Sequence, residues 1–215
     1  SAKAKVDLVA DSAEKSTLLA DIQYAQQLLD AQLEAIAKLQ AATEAVNGLF
    51  TDSTKTALKV GVDQAAIDVA SAKVDLVADG TEKSSLVADL QVAQQLLDAQ
   101  LEAIAKLQAA TEAVNGLFTD NSKTALKVGV DQAAIDAAKA KVDQVADGAE
   151  KSALLADIQY AQQFLDAQLE AIAKLQAATE AVNGLFTDNS KTALKVGVDQ
   201  AAIDAAKAKV DLVAD

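Results

Sequence analysis

The sequence predicts an all-α fold: tandem 68-residue helical repeats forming three-helix bundles, linked by long shared helices into an elongated rod. Three observations carry that expectation. AKVDLVAD begins at Ala4 and Ala72, AKVDQVAD at Ala140 and AKVDLVAD again at Ala208, a strict period of 72 − 4 = 68 residues. The chain has no Pro, and its eight Gly sit at only three places in the unit: the NG of Gly48, Gly116 and Gly184, the VG of Gly61, Gly129 and Gly197, and the DG of Gly80 and Gly148. Between Gly148 and Gly184 the apolar residues Leu154, Ile158, Ala161, Leu165, Leu169, Ile172, Leu175 and Val182 keep a spacing near 3.6, with Phe186 just beyond.

Repeat 1 spans 1–71, with a truncated short helix and a long helix over about 13–50. Repeat 2 spans 72–139 and follows a short helix over about 63–79 with a long helix over about 81–118. Repeat 3 spans 140–207 and joins a short helix over about 131–147 to a long helix over about 149–186; residues 208–215 finish a last short helix over about 199–215. The long helices are Gly-free and rich in Ala, Leu, Gln, Glu and Lys, all strong helix formers. In the short helix, Asp131 is the expected N-cap and Ile135, Ala138, Val142 and Val145 form a narrow apolar stripe. Asp-x-x-Glu at Asp11/Glu14, Asp79/Glu82 and Asp147/Glu150 reads as a capping box at the short corner, with Ser12, Gly80 or Gly148 as alternative caps.

The wide corner is VNGLFTDNSKTALKVGVDQAAID, identical at 114–136 and 182–204 and nearly so at 46–68. It holds three of the four Phe, and Phe118, Leu126 and Val130 are expected to close the end of a bundle. Asp and Ser side chains cap turn amides there, and the NG and VG glycines are expected to be left-handed. A long helix of about 36 residues and a return helix of about 16 extend roughly 54 and 24 Å, so each unit is expected to advance roughly 30 Å.

Composition restricts function. Lys+Arg is 19 against 32 Asp+Glu, a net charge of −13, and every cation is Lys. An acidic, Arg-free surface repels phosphate, so neither nucleic acid nor an anionic membrane is an expected partner. The absence of His and Cys removes the usual zinc, haem and iron–sulfur ligands. No charge-free apolar run reaches about 18 residues. The chain opens on Ser1, and reads as an excised fragment whose targeting signals lie elsewhere.

No catalytic, cofactor-binding or metal-binding residue is assigned. TDNSKT at 119–124 lacks the Asp-x-Asp-x-Asp-Gly spacing and distal Glu of a calcium loop and reads as turn and cap. Asp131 with Asp136, and Asp166 with Glu170, read as solvated helical acids rather than catalytic pairs. Tyr24, Tyr160 and Phe164 read as packing residues, with an exposed aromatic patch as the alternative, because Val92 and Leu96 replace Tyr160 and Phe164 one unit earlier.

The pattern VNGLFT, then LK, V, ID and a hydrophobic pair before an acidic turn, resembles the helical modules in the protoxin half of insecticidal crystal proteins of bacilli and related repeats in Gram-positive surface proteins. The resemblance covers the whole 68-residue unit, although the family's Pro at the short corner is here Gly or Ser followed by Thr or Ala. It implies helical bundles acting as spacers in secreted or wall-attached proteins, and supplies no catalytic residues. The expected function is a structural spacer or stalk projecting another module; the alternative is a multivalent adhesin-type module recognising a host protein or glycan. Neither enzymatic activity nor a cofactor is expected. Head-to-tail self-association is a further expected partnership, because the final helix pair lacks the helix that the start of the first long helix resembles.

Overall fold

Gln-, Ala- and Leu-rich segments without Gly or Pro have no internal reason to leave the helical state, and in the computed structural model each of them is one helix. The structure describes residues 2–7 and 13–213. Its elements are α1 (Ala2–Val6), α2 (Ala13–Asn47), α3 (Gln64–Asp75), α4 (Thr81–Asn115), α5 (Gln132–Asp143), α6 (Ala149–Gly184) and α7 (Gln200–Asp211). Among the described residues there is no strand, only an isolated antiparallel bridge in each wide corner: Phe50 with Leu58, Phe118 with Leu126 and Phe186 with Leu194.

The chain forms two packing units, Ser1–Glu102 and Ala103–Asp215. In the first, the C-terminal end of α2, its corner, α3 and the N-terminal part of α4 enclose Val46, Phe50, Ile67, Val74, Leu86 and Leu97. The second repeats this with Val114, Phe118, Ile135, Val142, Leu154 and Leu165. Burying each large side chain stabilises by about 1.5–3 kcal/mol. Each helix also contributes one fully packed alanine, Ala42, Ala70 and Ala93 in the first unit and Ala110, Ala138 and Ala161 in the second. No buried side-chain polar atom among the described residues lacks a partner.

Several expectations are corrected. The long helices stop at Asn47 and Asn115, about a turn before Phe50 and Phe118. There the backbone tightens, Leu117 N–H donating to Val114 O (3.1 Å) and Phe118 N–H to Asn115 O (3.2 Å), so that Phe118 can turn back against Leu126. The short helices run from Gln64, Gln132 and Gln200 to Asp75, Asp143 and Asp211, again ending earlier than the apolar pattern. The capping box does not form at α6: Gly148 is the N-cap, and Asp147 instead accepts from Lys151 Nζ at 2.9 Å. Asp79 does the same with Lys83 (3.0 Å), while Asp11 and Ser12 lie outside the described residues.

Of the glycines only those of VG are left-handed, at φ 86 to 88°; the other left-handed residues among those described are Lys55, Lys123 and Lys191. At the NG position a Cβ would meet only the carbonyls of the preceding helical turn, at 3.1 Å from Glu112 O for Gly116, and nothing within 4 Å for Gly184. The continuous apolar seam is also broken: Leu169, Ile172 and Leu175 in the middle of α6 are exposed, as are Leu33 and Ile36 in α2. Helical spacing selects a face but does not supply a neighbour to cover it.

Candidate functional site

The wide corner is the most elaborate local structure in each unit. Thr119 N–H donates to Ala125 O (3.0 Å) and Lys127 N–H to Leu117 O (2.9 Å), pinching the loop into a short antiparallel pair. At its tip Asp120 accepts from the Ser122 amide at 2.8 Å and from the Ser122 hydroxyl. The Ser122 hydroxyl, and then its amide, hold the Asp120 carboxyl below its ordinary value; Asp188 with Ser190 and Asp52 with Thr54 repeat the effect. TDNSKT is therefore a self-contained turn in which the acid stabilises backbone amides.

Two side-chain pairs tie the corner to the next long helix. Left-handed backbone at Lys55 and Lys123 directs each ammonium to a carboxylate, Lys55 to Asp89 and Lys123 to Asp157, with both side chains of each pair largely covered. Beside them, Gln132 and Gln162 exchange amide hydrogen bonds (2.8 Å each way), as do Gln64 and Gln94 (2.9 and 2.8 Å). These pairs fix how the third helix lies on the other two. Sequence reasoning missed them; their only trace is a constant separation, 34 residues for the ion pair and 30 for the amides, in both units.

The acids considered as pairs are each held by a different group. Asp131 caps α5 by accepting from Ala134 N–H (2.9 Å), and Asp136 accepts from Gln132 (3.0 Å). Asp166 accepts from Gln162 (2.9 Å), while Glu170 pairs with Lys174 (3.1 Å). None of these contacts joins two carboxylates, and no cluster of metal-binding side chains occurs among the described residues. Phe164 packs on the second core, but Tyr160 and Tyr24 are exposed, which corrects their reading as packing residues.

The C-terminal part of α6 and α7 form a helix pair built from the same residues as the complete bundles, with no third helix against it among the described residues. Equivalent positions differ sharply in exposure: Leu126 7 % against Leu194 51 %, and Val142 0 % against Val210 43 %. A groove of about 230 Å³ runs along this face between Leu175, Ala178, Val182 and Val210, with Lys191 at its edge. The start of α2 shows the converse, Leu18 being 46 % exposed where its equivalent Leu86 is 6 %.

Compared with known proteins, the chain matches the family model described as domain IV of the pesticidal crystal protein Cry1Aa over residues 37–99, 105–167 and 173–215. The first two matches begin in the middle of a long helix and end in the next, so they coincide with the three-helix bundles rather than with repeats counted from Ala4. No curated protein and no solved structure matches the chain.

Proposed function

The chain belongs to the family of domain IV of the pesticidal crystal protein Cry1Aa, and from that premise we propose that it is a non-catalytic structural spacer whose number of repeats sets the reach of another module. The observation that carries this reading is the uninterrupted long helix. α4 supplies Leu86, Leu90 and Leu97 to one core and Ala110 and Val114 to the next without leaving the helical state between them. Near-identical units coupled in this way add their contributions one by one. The acids weighed as catalytic pairs are engaged singly, Asp131 in a cap, Asp136 and Asp166 by glutamine amides and Glu170 in an ion pair, which favours a mechanical role over a catalytic one. An acidic surface whose cations are all Lys suits a solvent-exposed spacer, and no helix among the described residues is long and apolar enough to cross a membrane.

Small-angle scattering on chains of two, three and four repeats tests the reading. The maximum dimension is expected to rise by a constant increment per 68 residues; growth with the cube root of mass would refute it. A multivalent binding role is favoured by one observation, the exposed apolar pairs Leu33/Ile36, Leu101/Ile104 and Leu169/Ile172 recurring every 68 residues. Saturable capture of a serum protein or glycan, abolished by Leu169→Glu, would establish that role.

A further inference from the structure

We propose that the outer face of α3 pairs with the same face of α3 in a second copy of this chain, the two helices lying side by side and running in the same direction. α3 carries two apolar stripes. Ile67, Ala70, Val74 and Val77 face the core of the first unit. On the opposite side Ala65, Val69, Ala72 and Leu76 keep an i, i+4, i+7, i+11 spacing, and every member is exposed. The bundle beneath is complete, with the end of α2 and the start of α4 both packed against the first stripe. A helix that is apolar on two sides has the pattern of one with neighbours on both.

α5 shows the same helix without the second stripe. Between Asp63 and Asp79 the two segments differ at three positions: Val69 against Ala137, Ser71 against Lys139 and Leu76 against Gln144. Each difference makes α3 the more apolar or the less charged. Packing within the bundle does not account for Val69 and Leu76, because both are more than half exposed and neither belongs to the core.

Charge selects the occupant and its direction. Asp68 and Asp75 flank the outer stripe along one edge, and Lys73 flanks the other. With Val69 and Leu76 at the a positions of a heptad and Ala65 and Ala72 at d, Asp68 falls at g and Lys73 at e. Two such helices running the same way bring Asp68 of each copy against Lys73 of the other, twice by symmetry. Running opposite ways they would set acid edge against acid edge, which copies of net charge −13 oppose. The groups are free to pair in this way: Lys73 forms no ion pair among the described residues, and Asp68 accepts from Gln64 through Oδ1 alone (2.9 Å). A seam of three turns buries less than the roughly 1,200 Å² of a stable complex, so the pairing is weak and concentration-dependent. It stands whether or not the spacer reading does.

Disulfide trapping on the full chain tests this, since the sequence has no Cys of its own. Under mild oxidation with glutathione, Ala72→Cys is expected to form a covalent dimer about tenfold faster than Ala140→Cys, its exposed equivalent on α5, because a same-direction pair sets position 72 opposite itself. Equal rates overturn the proposal. Adding Val69→Ala or Leu76→Gln gives α3 the residue that α5 carries in a folded bundle, and is expected to bring the rate down to that of Ala140→Cys. A rate that neither change lowers belongs to a contact through another surface and overturns the proposal. Adding Asp68→Lys is expected to slow trapping by setting like charges opposite one another, and Asp68→Lys with Lys73→Asp to restore it with reversed sign. Failure of that combination to recover overturns the same-direction register. Circular dichroism on each variant confirms that the helices are intact.

Discussion

Replacing Phe118 with Ala should destabilise the Ala103–Asp215 unit by about 3–5 kcal/mol, whereas Phe186→Ala should cost roughly 1–2 kcal/mol. The two sites share an identical stretch, 114–136 and 182–204, so local propensity and unfolded-chain terms cancel in the comparison. What differs is the third helix. Phe118 is fully buried beneath the start of α6, while Phe186 is only half-buried and its bridge partner Leu194 is open to solvent. Removing a ring from a closed site leaves a cavity as well as losing transfer energy; at an open site solvent fills the gap. With a urea m-value on the order of 2 kcal/mol/M, the Phe118 variant should lower the midpoint of its unit by about 2 M. The assay is urea denaturation followed by circular dichroism, at protein concentrations too dilute for association. Equal losses at the two positions would refute the claim that the covering helix, rather than the corner itself, makes the plug stable.

Two further outcomes follow from the corner. Gly129→Ala should destabilise by about 1–2 kcal/mol, measured as a lowered urea midpoint. Its φ of 86° penalises any Cβ although nothing lies within 4 Å of one, so a neutral result would mean that the loop relaxes. Asp52, Asp120 and Asp188 titrate below the ordinary 3.8 because hydroxyl and amide donors favour the carboxylate. Their contribution is fully present above 3.8 and is lost as pH falls through the lowered folded values. The gap in thermal midpoint between wild type and Asp120→Ala should therefore shrink well below that pH, and a gap that stays constant would show that the acid acts through something other than its charge.

Helix number and continuity were legible because Gly and the absence of Pro punctuate the chain so sparsely. The Phe plug was legible because an aromatic confined to one loop of an Ala-rich chain has few other uses. Helix ends were not, since Leu117 and Phe118 continue the apolar rhythm after the backbone has tightened into a turn. Nor was the fate of the seam: Leu154 and Leu169 occupy equivalent places in the pattern, yet only Leu154 has α5 beside it. The Asp147–Glu150 spacing suited a capping box, but Lys151 lies within reach of the same carboxylate and takes it. The Lys123–Asp157 and Gln132–Gln162 pairs stayed hidden because in a near-exact repeat every residue recurs at a fixed distance from every other, so a constant separation marks no pair in particular.

That each core draws on two successive copies of the repeat bears on how such genes change length. Unequal crossing-over between two copies removes or adds 68 codons wherever the exchange falls, and the hybrid still presents the end of one long helix, a corner, a return helix and the start of the next. The break point can lie inside a helix or inside the corner, and the product keeps the same order of elements, with side chains exchanged only where the copies differ, as at Leu90/Ile158 and Leu96/Phe164. A tract of this kind can lengthen or shorten by whole units during replication while every product remains foldable.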